Sequence, residues 1–95
     1  MHFIIHCLDK PGSAEKRRAH FEAHKTYIAA SAVKVIISGP LLAEDNETPI
    51  GSCFLVEADH LTEVEALNRN DPFCQAGLWD RISILPFLKR VDNRS

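Results

Sequence analysis

The stretch VKVIISGPLLAEDNETPIGSCFLVEA, residues 33–58, decides the fold. Its first part, Val33-Lys34-Val35-Ile36-Ile37, is a β-branched run that reads as a strand, ended by Gly39-Pro40. The polar segment Ala43 to Pro49 is then a loop. It is expected to be the least ordered internal segment and to lie near the mouth of a pocket. Residues 51–58, GSCFLVEA, read as the next strand. Two strands therefore follow each other with no helix between them.

Outward from this pair, the chain supplies a strand and a helix on each side. Residues 2–8, HFIIHCL, form a short apolar run stopped by Asp9-Lys10-Pro11-Gly12. Ser13 is placed to cap a helix with Glu15 in its first turn, running to about Ala32. Ala14, Phe21 and Ile28 recur every seven residues, with Arg17, His24 and Ser31 as a second row beside them. Downstream, Asp59 or Thr62 can cap a second helix through about Asn68, with Leu61, Val64 and Leu67 facing inward. Asp71-Pro72 restarts a short helix, with aspartate at the N-cap and proline at the first helical position. The segment from about Trp79 to Phe87 alternates as a last strand.

The order β-α-β-β-α-β is the split βαβ, or ferredoxin-like, unit. The fold class expected is α+β, with an antiparallel four-stranded sheet, an extra short helix before the last strand, and one domain over residues 1–95. Helices can cover only one face of such a sheet. Yet Phe3, Ile5 and Cys7 alternate with Ile4 and Leu8, so both faces carry apolar side chains. A homodimer with sheets face to face is the expected remedy.

Composition narrows the function classes. The chain is 45% hydrophobic and 25% charged, enough apolar material for a core and too much for a disordered chain. A net charge of −2 supplies no electrostatic footprint for nucleic acid, and Lys16-Arg17-Arg18 is a short basic run on a helix. No run approaches a membrane span, and MHFIIHCLDK lacks the layout of a signal peptide. Cys7, Cys53 and Cys74 are widely spaced and odd in number, which fits a reducing cytoplasm better than a disulfide scaffold.

His24 leads the residues that could carry chemistry. It lies between Phe21 and Ile28 on the inward edge of the first helix, where an imidazole can exchange a proton near neutral pH. The plainer alternative is a histidine hydrogen-bonded at a helix–sheet boundary. Asp71 is a ready-made helix cap, and as a partner for His24 it would orient the ring and stabilise its charged form. Arg17 shares the helical row of His24; its guanidinium can bind a carboxylate or phenolate, or pair on the surface with Glu15 or Glu22. Gly39 and Pro40 suit a rim where a ligand approaches backbone N–H groups. His20 and His24 stand four apart, but no HExxH glutamate lies between them and further ligands would have to come from His2, His6 or His60. Neither a metal nor a cofactor is expected.

Three segments in fixed order carry a resemblance. Asp9-Lys10-Pro11-Gly12-Ser13 is followed by Arg17, His24 and Tyr27-Ile28, then Gly39-Pro40-Leu41, then Asp71-Pro72-Phe73. This pattern resembles small YciI-like (YCII-related) proteins over nearly the whole chain. The resemblance implies a dimeric α+β barrel and a His–Asp pair at His24 and Asp71. It also implies substrate contacts at Arg17, Gly39, Pro40 and Phe73. One relative is known as a dehydrochlorinase of chlorinated hydroxyquinols. The chain departs from many relatives in carrying Phe21 where they have a second arginine, which suggests a more apolar substrate. The expected function is a cofactor-independent enzyme using His24 and Asp71 for elimination, isomerisation or dehalogenation of a small phenolic or carbonyl compound. The alternative is a non-catalytic dimer that binds a small molecule or recognises a partner. A cofactor-free oxygenase is a third reading.

Overall fold

The computed structural model describes residues 1–94. The elements run β1 (His2–Asp9), α1 (Ala14–Ala29), β2 (Lys34–Leu42), β3 (Pro49–Glu57), α2 (Leu61–Arg69), α3 (Pro72–Gln75) and β4 (Trp79–Phe87). The four strands form one sheet in the order β2-β3-β1-β4, with every neighbouring pair antiparallel. This is the ferredoxin-like α+β architecture expected from the order of elements, with α3 as the extra short helix.

The local chemistry moves several boundaries. α1 stops at Ala29 rather than near Ala32. Just beyond it, the Ser31 hydroxyl donates to the Val33 carbonyl and accepts from the Val33 N–H, a local pairing that competes with another helical turn. Ser13 occupies the N-cap position, but its side chain makes no capping bond. β2 runs through Gly39-Pro40 to Leu42 instead of ending there. Proline is tolerated because β2 is an edge strand, where a missing N–H need cost no ladder bond. β3 begins at Pro49, two residues earlier than expected. α2 is capped at His60 rather than at Asp59 or Thr62, and the Glu63 carboxylate accepts from the His60 N–H at 3.1 Å. Leu61 is exposed, leaving Val64 and Leu67 as the inward row of α2.

Two faces of the sheet have different fates. Phe3, Ile5 and Cys7 of β1 and Phe54 and Val56 of β3 meet Val64, Leu67, Phe73, Leu78 and Trp79 in the core. On the other face, Ile4 pairs with Leu55 on one side and Leu85 on the other, and Leu55 pairs with Ile37. Paired residues of an antiparallel ladder point the same way, so these four make an apolar row across all four strands. Ile37 and Leu85 are well exposed within the protomer.

α1 packs differently from α2. Its one buried residue is Arg17, and Tyr27 and Ile28 only border the core. The Tyr27 hydroxyl donates to the Leu67 carbonyl at 2.8 Å, tying α1 to α2. Arginine and histidine occupy the inward row where an apolar pair would seal the helix onto the sheet, and a cavity opens between α1, β2 and β3.

Candidate functional site

This cavity encloses about 620 Å³, within the range of small-molecule sites. α1 contributes Arg17, Phe21, His24 and Ile28, while β2 and β3 contribute Ser38, Gly39, Pro40, Ser52 and Phe54. Ala14, Arg18 and Lys25 of α1, Pro49 at the start of β3, and Glu47 and Thr48 of the β2–β3 connection complete it, so that loop lies at the cavity as expected. Asp45 organises the loop. Its carboxylate accepts from the Glu47 and Thr48 backbone N–H groups and from the Thr48 hydroxyl, and these bonds hold its pKa down at about 2.

His24 and Asp71 meet. The Nδ1 atom of His24 lies 2.9 Å from both Asp71 carboxylate oxygens. Asp71 is 1% exposed, and its Oδ1 also accepts the Phe73 N–H at 2.8 Å as the N-cap of α3. One carboxylate therefore serves as both cap and histidine partner, the two roles that Asp-Pro-Phe left open. A carboxylate acceptor assigns the proton to Nδ1 and leaves Nε2 as the ring nitrogen with a free lone pair.

The imidazole is held by more than this bond. Its ring stacks on Phe73 with centroids 4.1 Å apart and planes 11° from parallel, and it meets Phe54 edge-on at 5.9 Å. Phe73 itself is fully buried and takes no part in the cavity wall. The substrate contact expected of Phe73 is therefore not made by its side chain, which supports the residues that do face the cavity. The Arg17 guanidinium carbon lies 4.8 Å from the centroid of the same ring.

Arg17 is 8% exposed, and neither Glu15 nor Glu22 pairs with it. Its Nε and Nη2 donate side-on to Asp9 at 2.8 and 3.2 Å; Nη2 also donates to the Gly51 carbonyl at 2.7 Å and to Ser52 Oγ at 2.8 Å. The fork foreseen for a substrate carboxylate is thus largely filled by Asp9. Nη1 has no hydrogen bond among the described residues, and Arg17 lines the cavity. Asp9 and Ser52 were missed as site residues: Asp9 reads locally as a strand stop, and Ser52 as one polar residue in an apolar strand. The available signal was Arg17 itself, because an arginine on an inward helical row requires a buried carboxylate.

The cysteines stand apart from this chemistry. Burial pushes the Cys7 thiol up to about 12, against an Asn68 amide that donates to its sulfur at 3.6 Å. Burial likewise raises Cys74 and the Tyr27 phenol, and the nearby Asp71 charge adds to both. Among the described residues, no group of three or more His, Cys, Asp or Glu side chains is arranged to hold a metal ion. No helix among them is long and apolar enough to cross a membrane.

Comparison with known proteins gives concordant results. The YCII-related domain model matches residues 1–88. Protein YciI of Escherichia coli is 29% identical over 96 aligned positions, covering 94% of this chain and 98% of that protein. Among solved structures, the 5-chloro-2-hydroxyhydroquinone dehydrochlorinase TftG of Burkholderia phenoliruptrix, in complex with 2,5-dihydroxybenzoquinone, superposes with a TM-score of 0.83. It is 30% identical, and the match covers 93% of this chain and 94% of TftG. Rv0793 of Mycobacterium tuberculosis, 12% identical, shares the fold with a TM-score of 0.55 over 96% of this chain and 97% of its own.

Proposed function

The chain belongs to the YCII-related family, and on that premise we propose a cofactor-independent enzyme in which His24 and Asp71 perform acid–base chemistry on a small phenolic or carbonyl compound. The observation that carries this reading is the 2.9 Å contact between His24 Nδ1 and the buried Asp71 carboxylate beside the cavity. With Nδ1–H committed to Asp71, Nε2 takes a proton from the substrate, and the carboxylate stabilises the imidazolium that forms. Returning that proton elsewhere on the substrate gives isomerisation; losing a leaving group instead gives elimination or dehalogenation. The likeness to TftG supports the last of these and a hydroxylated ring as substrate.

Arg17 Nη1 holds a substrate oxygen, and Gly39 and Pro40 form the rim. Phe21, 45% exposed at the cavity, offers an apolar surface to the body of the ligand. The protein works as a homodimer through the Ile37–Leu55–Ile4–Leu85 row, in a reducing compartment that suits its free thiols.

The test is chloride release from 5-chloro-2-hydroxyhydroquinone, with deuterium uptake from D2O into a panel of hydroxyquinones and enolisable carbonyl compounds. Wild type is expected to turn over at least one of these, and His24→Ala and Asp71→Asn to lose about 10²–10⁴-fold. Equal rates in wild type and both variants, or no turnover of any compound, would leave a binding protein rather than an enzyme.

A further inference from the structure

We propose that Ser52, with Arg17 Nη1, forms a two-donor site for a carbonyl or phenolate oxygen, opposite the proton-accepting Nε2 of His24. The inference rests on the preceding reading of the cavity as a substrate pocket and adds a residue and a ligand chemistry to it.

Ser52 is 3% exposed, and the part of it that is reachable faces the cavity. Its Oγ accepts from Arg17 Nη2 at 2.8 Å. A hydroxyl that accepts one bond still carries a proton to donate, and no acceptor for it exists among the described residues. The same holds for Arg17 Nη1, since Asp9, Gly51 and Ser52 are all bonded through Nε and Nη2. Both groups line the cavity, so a molecule that fills it can supply the acceptor for each.

The charge balance selects the kind of acceptor. Asp9 neutralises Arg17 at 2.8 Å, so the pair offers directed N–H and O–H groups without a net positive charge. A neutral carbonyl or a delocalised phenolate or enolate fits such a site. A phosphate dianion would have to draw its compensating charge from Arg18 and Lys25, which line the cavity apart from this pair. The placement also fits: His24, Arg17 and Ser52 all line the one cavity, so a single small ligand in it can meet all three. An oxygen that gains negative charge as Nε2 removes a proton would be stabilised where it forms.

The test compares two probes of the same size, 4-nitrophenolate and nitrobenzene, titrated calorimetrically into wild type and Ser52→Ala. The expected result is about tenfold weaker binding of 4-nitrophenolate to Ser52→Ala, the effect of one hydrogen bond to a charged group, with nitrobenzene changed less than about twofold. Equal affinity of 4-nitrophenolate for both proteins overturns the proposal. So does equal weakening of both probes, which marks a structural role, and so does failure of wild type to bind 4-nitrophenolate at millimolar concentration. Should Ser52→Ala not fold, the Arg17 guanidinium ¹⁵N–¹H signals of wild type decide: they shift on adding 4-nitrophenolate, and absence of a shift overturns the proposal. Loss of binding in Ser52→Ala together with unchanged turnover in His24→Ala would keep this site and remove the acid–base reading.

Discussion

Replacing Arg17 by methionine tests whether the guanidinium is built into the scaffold, as its contacts indicate. The side chain makes two bonds to Asp9 and one each to Gly51 O and Ser52 Oγ. The Asp9 side chain is itself 8% exposed, so Arg17→Met strands a carboxylate away from water. Removing one partner of a buried pair costs about 3–5 kcal/mol, whereas replacing both by apolar groups of similar volume is often neutral. For a domain of this length, about 4–8 °C of melting temperature accompanies each kcal/mol, so the single variant should melt at least about 12 °C lower. Arg17→Met with Asp9→Leu should return to within about 1 kcal/mol of wild type, a coupling of at least about 2 kcal/mol. Urea unfolding at one fixed protomer concentration measures both, since dimerisation adds a concentration term. A single variant within about 1 kcal/mol of wild type, or additive losses in the double variant, would refute the reasoning and return Arg17 to the surface.

Leu85→Arg, at the β4 end of the apolar row and its most exposed member, should convert a dimer to a folded monomer by light scattering; an unchanged mass would place the interface elsewhere. Gly51→Ala should destabilise by about 2 kcal/mol or more, because the new Cβ would fall 2.3 Å from the Cys7 carbonyl oxygen, and urea midpoints near those of wild type would contradict that packing. Cys7 predicts a pH dependence. Its pKa rises from 9.0 to about 12 on folding, so the unfolded chain ionises first; stability is full below about 9 and falls through the window up to about 12. The slope from this group is at most about 1.4 kcal/mol per pH unit. Cys7→Ala should lose that part of the alkaline decline, and parallel pH profiles for the two proteins would rule the contribution out.

The parts of the fold that were legible in the sequence are those set by neighbours along the chain. A short apolar run in residues 2–8 and alternation from Trp79 to Phe87 marked β1 and β4, and Asp71-Pro72 marked the start of α3, because strand patterning and helix capping act within a few residues. The His24–Asp71 meeting was legible for a different reason. Its helical row pointed His24 inward, and the resemblance paired it with Asp71 across 47 residues of chain. What stayed hidden depends on who sits beside whom in the sheet. Pro40 reads as a strand terminator until β2 is known to be an edge strand. Asp9, Gly51 and Ser52 become partners of Arg17 only once β1 and β3 pair, with Ser52 opposite Cys7. Phe73 sat in a recognisable segment, yet its stacking under His24 requires α3 to pack against α1, which no local pattern encodes.

The central claim is that Asp71 fixes His24 with its proton on Nδ1 and a free lone pair on Nε2. Long-range ¹⁵N–¹H correlation of the imidazole rings, recorded above neutral pH on uniformly labelled protein, reads this directly. The account predicts a protonated, pyrrole-type Nδ1 and an unprotonated, pyridine-type Nε2 for His24, with the pattern lost in Asp71→Ala. A His24 ring carrying its proton on Nε2, or one indifferent to the Asp71 substitution, would contradict it.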